Sequence, residues 1–171
     1  MNAAPVAPDT FDPYVMLSQQ IITVHRALGA SFAEVISVDP RDIGRLVQAT
    51  TGAAGFFLGH HHAESTLLFP ALRRAGTLKS ADVAFLDAAD NEHIALYDLA
   101  QRLIAEARAP HPRPAEIMTM ARAINASFAL HVRGEETGLM PERLRTMISR
   151  EGLAMLADDA GSMRAGHWHA G

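Results

Sequence analysis

Apolar residues recur along this chain at spacings of three and four in four long stretches, the period of helices that each bury one stripe. In the first stretch Leu17, Ile21, Ile22, Leu28 and Phe32 share a face with His25. Asp12-Pro13 supplies an N-cap and a proline at the first helical position, which predicts a helix from there to about Ile36. Asp39-Pro40 repeats that start signal. It predicts a second helix through Ile43, Leu46, Val47, Phe56 and Phe57 to His60 and Glu64, ended by Pro70 and Gly76. The tract TTGAAGFFLG within it is a weak helix former, so packing must stabilise it. Ser80 is expected to cap a third helix that carries Val83, Leu86, Ala89, His93, Leu96, Ala100 and Ile104 inward and ends near Ala109-Pro110. After the stiff linker APHPRP, Pro114 starts a fourth, with Ile117, Met120, Ile124, Phe128 and His131 on one face and Glu135 one turn further.

No strand pattern appears. The expected fold is all-α, an up-down-up-down four-helix bundle with a short C-terminal helical extension, because short connections let four amphipathic stripes share one core. Residues 1 to 11 read as a disordered or extended arm, 12 to 145 as the bundle, and 146 to 171 as a C-terminal helix and flexible tail. The stretch ERLRTMISREGLAMLADDAG is expected to pack across the bundle's end, with the tail SMRAGHWHAG frayed.

Composition narrows the function classes. With 171 residues, 49% hydrophobic and 20% charged, the chain has the makeup of one soluble domain. Its net charge of −4 is spread without long runs of one sign, which argues against nucleic acid and membrane surfaces as partners and favours small diffusible ones. No apolar run is long enough to span a bilayer, and MNAAPVAPDTFDP lacks the features of a secretory signal, so a cytoplasmic location is expected. The absence of cysteine leaves only nitrogen and oxygen ligands for any metal.

That restriction matters because the chain says one thing twice. FLGHHHAESTLLFPAL at 57 to 72 and FALHVRGEETGLMPERL at 128 to 144 share the skeleton Phe57/Phe128, His60/His131, Glu64/Glu135, Leu68/Leu139 and Pro70/Pro141. Upstream of each lies a lone histidine in an apolar stripe, His25 and His93. A histidine and a glutamate four apart share one helix face, so two such pairs and two single histidines can converge four nitrogens and two carboxylates on one point. That donor count suits two iron or manganese ions, whereas a single zinc would leave ligands over. Two buried carboxylates without a cation would be costly.

The pattern His25, His60-x-x-x-Glu64, His93, His131-x-x-x-Glu135, with Leu-Phe-Pro after the first pair, resembles the hemerythrin-like (HHE cation-binding) family of non-haem di-iron four-helix bundles. The resemblance runs from about residue 12 to 145. It implies that His25 and His60 hold one iron, His93 and His131 the other, and that Glu64 and Glu135, with oxide or hydroxide, bridge them; manganese is the alternative metal. The oxygen-carrying members have a further histidine one turn before His93 and end on an aspartate five residues after its histidine. This chain has Ala89 and Glu135 instead, which implies a nearly symmetric pair with an open position on each metal. Reaction with dioxygen, peroxide or nitric oxide in oxidative or nitrosative stress defence is the function so implied, with an electron donor unspecified. An iron- or oxygen-sensing module without turnover is the alternative, so catalysis is left open, as is a monomer or a homodimer.

Several neighbours invite roles. Tyr97, one turn after His93, is placed to bond a metal-bound oxide, to fill the vacant coordination position or to fill core; Asp90, one turn before it, is expected on the exposed helix surface, with acceptance from another helix's ring nitrogen as the alternative. His61 falls at the site's edge as a reserve ligand or proton relay, or at a solvated boundary, and Glu136 is expected to face water. His167 and His169 are read as part of the loose tail, and the eight methionines as adaptable packing.

Overall fold

The computed structural model describes residues 12–75 and 78–166, and every regular element among them is helical. Helix α1 (Pro13–Ser37) starts where the sequence predicts: the Asp12 carboxylate accepts from the Tyr14 N–H at 3.1 Å, and Pro13 occupies the first turn, where a missing N–H forfeits nothing. Helix α2 (Ile43–Ala63) starts later than the Asp39-Pro40 signal. Asp39 instead closes a turn, accepting from the Arg41 N–H on its carboxylate and the Asp42 N–H on its carbonyl, both at 2.9 Å. That turn joins two packed helices, and Asp42 then caps α2 through the Arg45 N–H.

Pro70 does not end the second helical stretch. Residues Glu64–Leu68 form a π turn in which the Phe69 N–H reaches the Glu64 carbonyl, and α3 (Phe69–Arg74) carries on beyond it. A proline has no N–H to give and crowds the carbonyl one turn back, and a widened turn relieves both problems. Gly76 lies outside the described residues. Helix α4 (Ser80–Ala107) corrects another start: Ser80 is already helical, Lys79 stands at the cap, and the Asp82 carboxylate reaches back to the Lys79 N–H at 3.1 Å. The same carboxylate takes the Arg143 guanidinium at 2.7 Å, so a distant cation favours Asp82 as the anchoring group. Helix α5 (Pro114–Gly138) opens on Pro114 as predicted. Pro141 opens α6 (Pro141–Met147), and α7 (Arg150–Gly166) follows.

Helix α1 packs on α2 and α5, and α4 packs on the other sides of α2 and α5, giving a helical bundle with α6 against α1 and α7 against the π turn. Two apolar clusters fill it. One gathers Leu28, Phe32, Leu46, Phe57, Leu103 and Phe128; the other gathers Ile21, Leu68, Phe69, Leu86, Leu139 and Leu144. Helices α1 and α4 contribute to both clusters, whereas α2 and α5 line the first and the segments that follow them, around Phe69 and Leu144, line the second, so the histidines and glutamates lie between the two and the polar layer is sealed above and below. Val83, expected to point inward, lies in a first turn and is exposed, as is Ile43 in the first turn of α2, and Phe56 is rotated off the Phe57 stripe and also exposed. No helix among the described residues is long and apolar enough to cross a membrane. The N-terminal arm and the His167 and His169 tail lie outside the described residues.

Candidate metal centre

Five helical segments deliver the polar layer. His25 comes from α1, His60 and His61 from the last turn of α2, Glu64 from the start of the π turn, His93 from α4, and His131 and Glu135 from α5. The side chains of the six residues picked out by the repeat are all nearly inaccessible, the most exposed being His60 at 8%. They meet. The His25 Nε2 stands 3.2 Å from Glu135 and 3.9 Å from Glu64. The His60 Nε2 stands 3.2 Å from Glu64, the His131 Nε2 3.1 Å from Glu135, and the His93 Nε2 3.6 Å from Glu64.

The donors fall into two sets, each with its atoms within 4.8 Å of one another: His25, His60, Glu64 and Glu135 in one, and His61, His93 and His131 in the other. Glu64 and Glu135 also approach His93 and His131, so the carboxylates lie between the sets.

Hydrogen bonding sorts the imidazole nitrogens into outward and inward ones. His25 Nδ1 lies 3.1 Å from Glu136, His131 Nδ1 2.8 Å from Glu92, and His61 Nδ1 3.0 Å from the Phe57 carbonyl. His93 Nδ1 lies 3.0 Å from the Ser65 hydroxyl, which donates in turn to Asp90 at 3.3 Å, and Asp90 is held by Arg73 at 2.9 Å. Acceptors on Nδ1 fix the tautomer and turn the Nε2 lone pair inward, as outer partners do in metal sites. Inside, the reverse holds. His25, His60 and His61 Nε2 and both oxygens of Glu64 and Glu135 are buried without a hydrogen bond. Thr50 Oγ1 is the one other such atom recorded among the described residues. Buried polar atoms are almost always partnered, so a concentrated set of inward lone pairs fits cations.

Electrostatics agrees with the geometry. Burial opposes charge on His25, but the adjacent Glu135 and Glu64 carboxylates prevail and raise its pKa to about 10. His131 is likewise raised, by Glu135 and Glu92 against burial. Burial, reinforced by neighbouring imidazoles, pushes His60, His61 and His93 down to about 3, which keeps these rings neutral, and His93 Nε2 lies 3.1 Å from His131 Nε2. Burial also lifts Glu64 to about 7, despite His25 beside it. For Glu135, His131 and His25 outweigh burial and hold the carboxyl well below its ordinary range.

Phe69 stacks on the His93 ring at 5.4 Å, and Phe128 meets His25 edge-on at 5.7 Å, so aromatic rings wall the layer. On one side it meets a pocket of about 520 Å³ lined by His61, Ser65, Asp90, His93 and Tyr97 among others. Tyr97 stands at this mouth, 47% exposed, rather than in the core. Asp90 reaches His93 through Ser65 instead of accepting from a ring nitrogen directly. Glu136 does not simply face water, and Glu92, which the pattern did not single out, has the matching role on His131. His61 is 3% exposed, not at a solvated boundary. Its inward position was readable: Phe57, His61, Glu64 and Leu68 follow steps of four, three and four, the centre of the α2 stripe, with His60 flanking it. Ala89 is buried and offers no ligand atom.

No curated protein and no solved structure matched the chain. The model of the hemerythrin HHE cation binding domain matches residues 16–142, a span that contains the whole cluster of histidines and glutamates, and the chain belongs to this family.

Proposed function

We propose that this protein holds two iron ions and reacts with a small molecule, dioxygen, peroxide or nitric oxide, in defence against oxidative or nitrosative stress. The observation that carries this reading is the buried layer of nitrogens and carboxylate oxygens, most of them without hydrogen bonds, whose donor atoms fall into two adjoining groups. His25, His60, His93 and His131 would hold the ions, with Glu64 and Glu135 shared between them, and manganese is the alternative metal. Bound there, an iron pair supplies electrons, one or two at a time, to a small oxidant. Short connections between the long helices favour the up-down-up-down arrangement, which keeps the donors on rigid elements.

The chain's own residues do the rest. Two carboxylates offset part of the cationic charge in a layer from which the Phe57, Phe69 and Phe128 rings exclude water. Glu92, Glu136 and the Ser65–Asp90 pair hold three imidazoles in orientation. The pocket beside His61 and His93 is a short route from solvent, with the Asp90 carboxylate and the Tyr97 hydroxyl at its mouth. A cytoplasmic protein with a diffusible electron donor, acting as monomer or homodimer without nucleic acid or membrane, fits the charge distribution.

Metal analysis and absorption spectra of protein made in iron-replete cells test the reading. Two irons per chain, near-ultraviolet charge-transfer bands and many equivalents of peroxide or nitric oxide consumed support an enzyme. A stable reversible oxygen adduct without turnover counts against it.

A second reading, a sensing module, is favoured by one observation: Glu64 and Glu135 are buried without hydrogen bonds, so a bound cation would stabilise the fold. A single-equivalent reaction with large loss of helix on iron removal would select it.

A further inference from the structure

The two copies of the sequence repeat differ at one inward position. Three residues after Phe57 and Phe128 come His60 and His131, and four residues after them come His61 and Val132. Both α2 residues reach the polar layer, because it spans more than 100° of the α2 surface. His61 is no filler. Its ring centre lies 4.3 Å from that of His93 and 5.5 Å from that of His131, and its Nε2 joins theirs within 4.8 Å. The Phe57 carbonyl at 3.0 Å takes the Nδ1 proton, which leaves the buried Nε2 as an acceptor with no hydrogen bond. A histidine kept only for packing would be expected to satisfy both nitrogens.

We propose that His61 is a metal ligand, supplying a third imidazole to the position formed with His93 and His131, so that the two metals are unequal. This rests on the reading that the layer holds two metals. One position then has three imidazoles and the other, beside His25 and His60, has two, with Glu64 and Glu135 between them. The near-symmetry implied by the repeat is broken by a residue outside its skeleton, and the position with fewer nitrogens keeps more room for an exogenous ligand.

The test titrates ferrous iron anaerobically into metal-free wild type, His61→Ala and His61→Gln, with metal stoichiometry, X-ray absorption and Mössbauer spectra as readouts. In wild type two ions bind, X-ray absorption counts five imidazoles over the pair, and two unequal Mössbauer doublets appear. In His61→Ala one ion weakens by more than about a hundredfold, beyond what loss of an outer partner typically costs, while the other is retained. Added imidazole, which can enter through the pocket at His61, restores the lost affinity. Two ions bound with four imidazoles in wild type, or unchanged affinities and spectra in both variants, overturn the assignment of His61 alone. Fewer than two ions in wild type overturns the two-metal reading and this assignment with it. The wild-type imidazole count decides the matter even if both variants fail to fold.

Discussion

The His25 ring bridges two glutamates adjacent in sequence, its Nδ1 3.1 Å from Glu136 and its Nε2 3.2 Å from Glu135. One helix turn of α5 thus supplies both an inward carboxylate and the outward partner that orients an imidazole of α1. Glu92 on α4 does the same for His131 at 2.8 Å. Removing either outer carboxylate leaves every ligand atom in place but frees a ring. Glu136→Ala and Glu92→Ala should each weaken iron binding about 10- to 100-fold with helix content unchanged. Competition against a chelator of known affinity, with circular dichroism alongside, measures both.

Glu64 and Glu135 should matter more for the loaded protein than for the empty one. Wild type in about a hundredfold excess of iron over its dissociation constant should gain about 2.7 kcal/mol against unfolding for each ion bound. In Glu64→Leu or Glu135→Leu that gain should vanish, while the metal-free protein changes far less, since burying leucine carries no charge penalty. Urea melts with and without ferrous iron decide this, and an undiminished gain would contradict the role given to the carboxylates.

Proton release should accompany metal uptake. His25, with its pKa raised to about 10, must shed a proton at any lower pH, His131 is raised in the same direction, and Glu64 at about 7 adds another in acid. Apparent iron affinity should therefore rise with pH up to about 10, most steeply below 7. For metal-free protein the sign is opposite. The stabilisation from His25 is complete below the unfolded pKa of 6.5 and is lost as pH climbs through about 10. Calorimetry in buffers of different ionisation enthalpy counts the protons, and melts across that range follow the stability.

Asp82 clasps two elements, accepting from the Lys79 N–H at the α4 start and from Arg143 on α6, whose guanidinium also lies 5.2 Å from the Phe85 ring centre. Asp82→Ala should cost about 1.5–3 kcal/mol, the range for a hydrogen bond to a charged group. Arg143 beside it holds the Asp82 pKa below 3.8, so this stabilisation is present above 3.8 and disappears as pH falls through the folded value. Denaturant melts of wild type and variant should converge in strong acid.

Gly138 ends α5 with the Phe85 ring lying where a β-carbon would go. Gly138→Ala must move that ring, and a loss of about 1–3 kcal/mol is expected from overpacking. A companion Phe85→Leu change should recover part of it, measurable in the same melts.

Much of this protein was legible before any coordinates. Asp12-Pro13 and Pro114 fix two helix starts through backbone chemistry that needs no neighbour, and apolar spacing places His25, His93, His131 and Glu135 on inward stripes. Asp39 and Ser80 misplace two other starts, because several residues in a row can cap and the choice passes to whichever also closes a turn or meets a partner, as Asp42 and Asp82 do.

Periodicity and the repeated histidine–glutamate spacing determined the helices, their buried faces and a polar layer rich in ligand atoms, since these follow from bonds within single helices. Only tertiary structure decided that Glu136, Glu92 and Ser65 hold rings of histidines from 28 to 111 residues away, and that Pro70 sits after a π turn instead of ending a helix. Those outcomes depend on how helices are rotated against one another. A shift of one residue is about 100° around a helix, and the packing of neighbours, not local sequence, sets that angle.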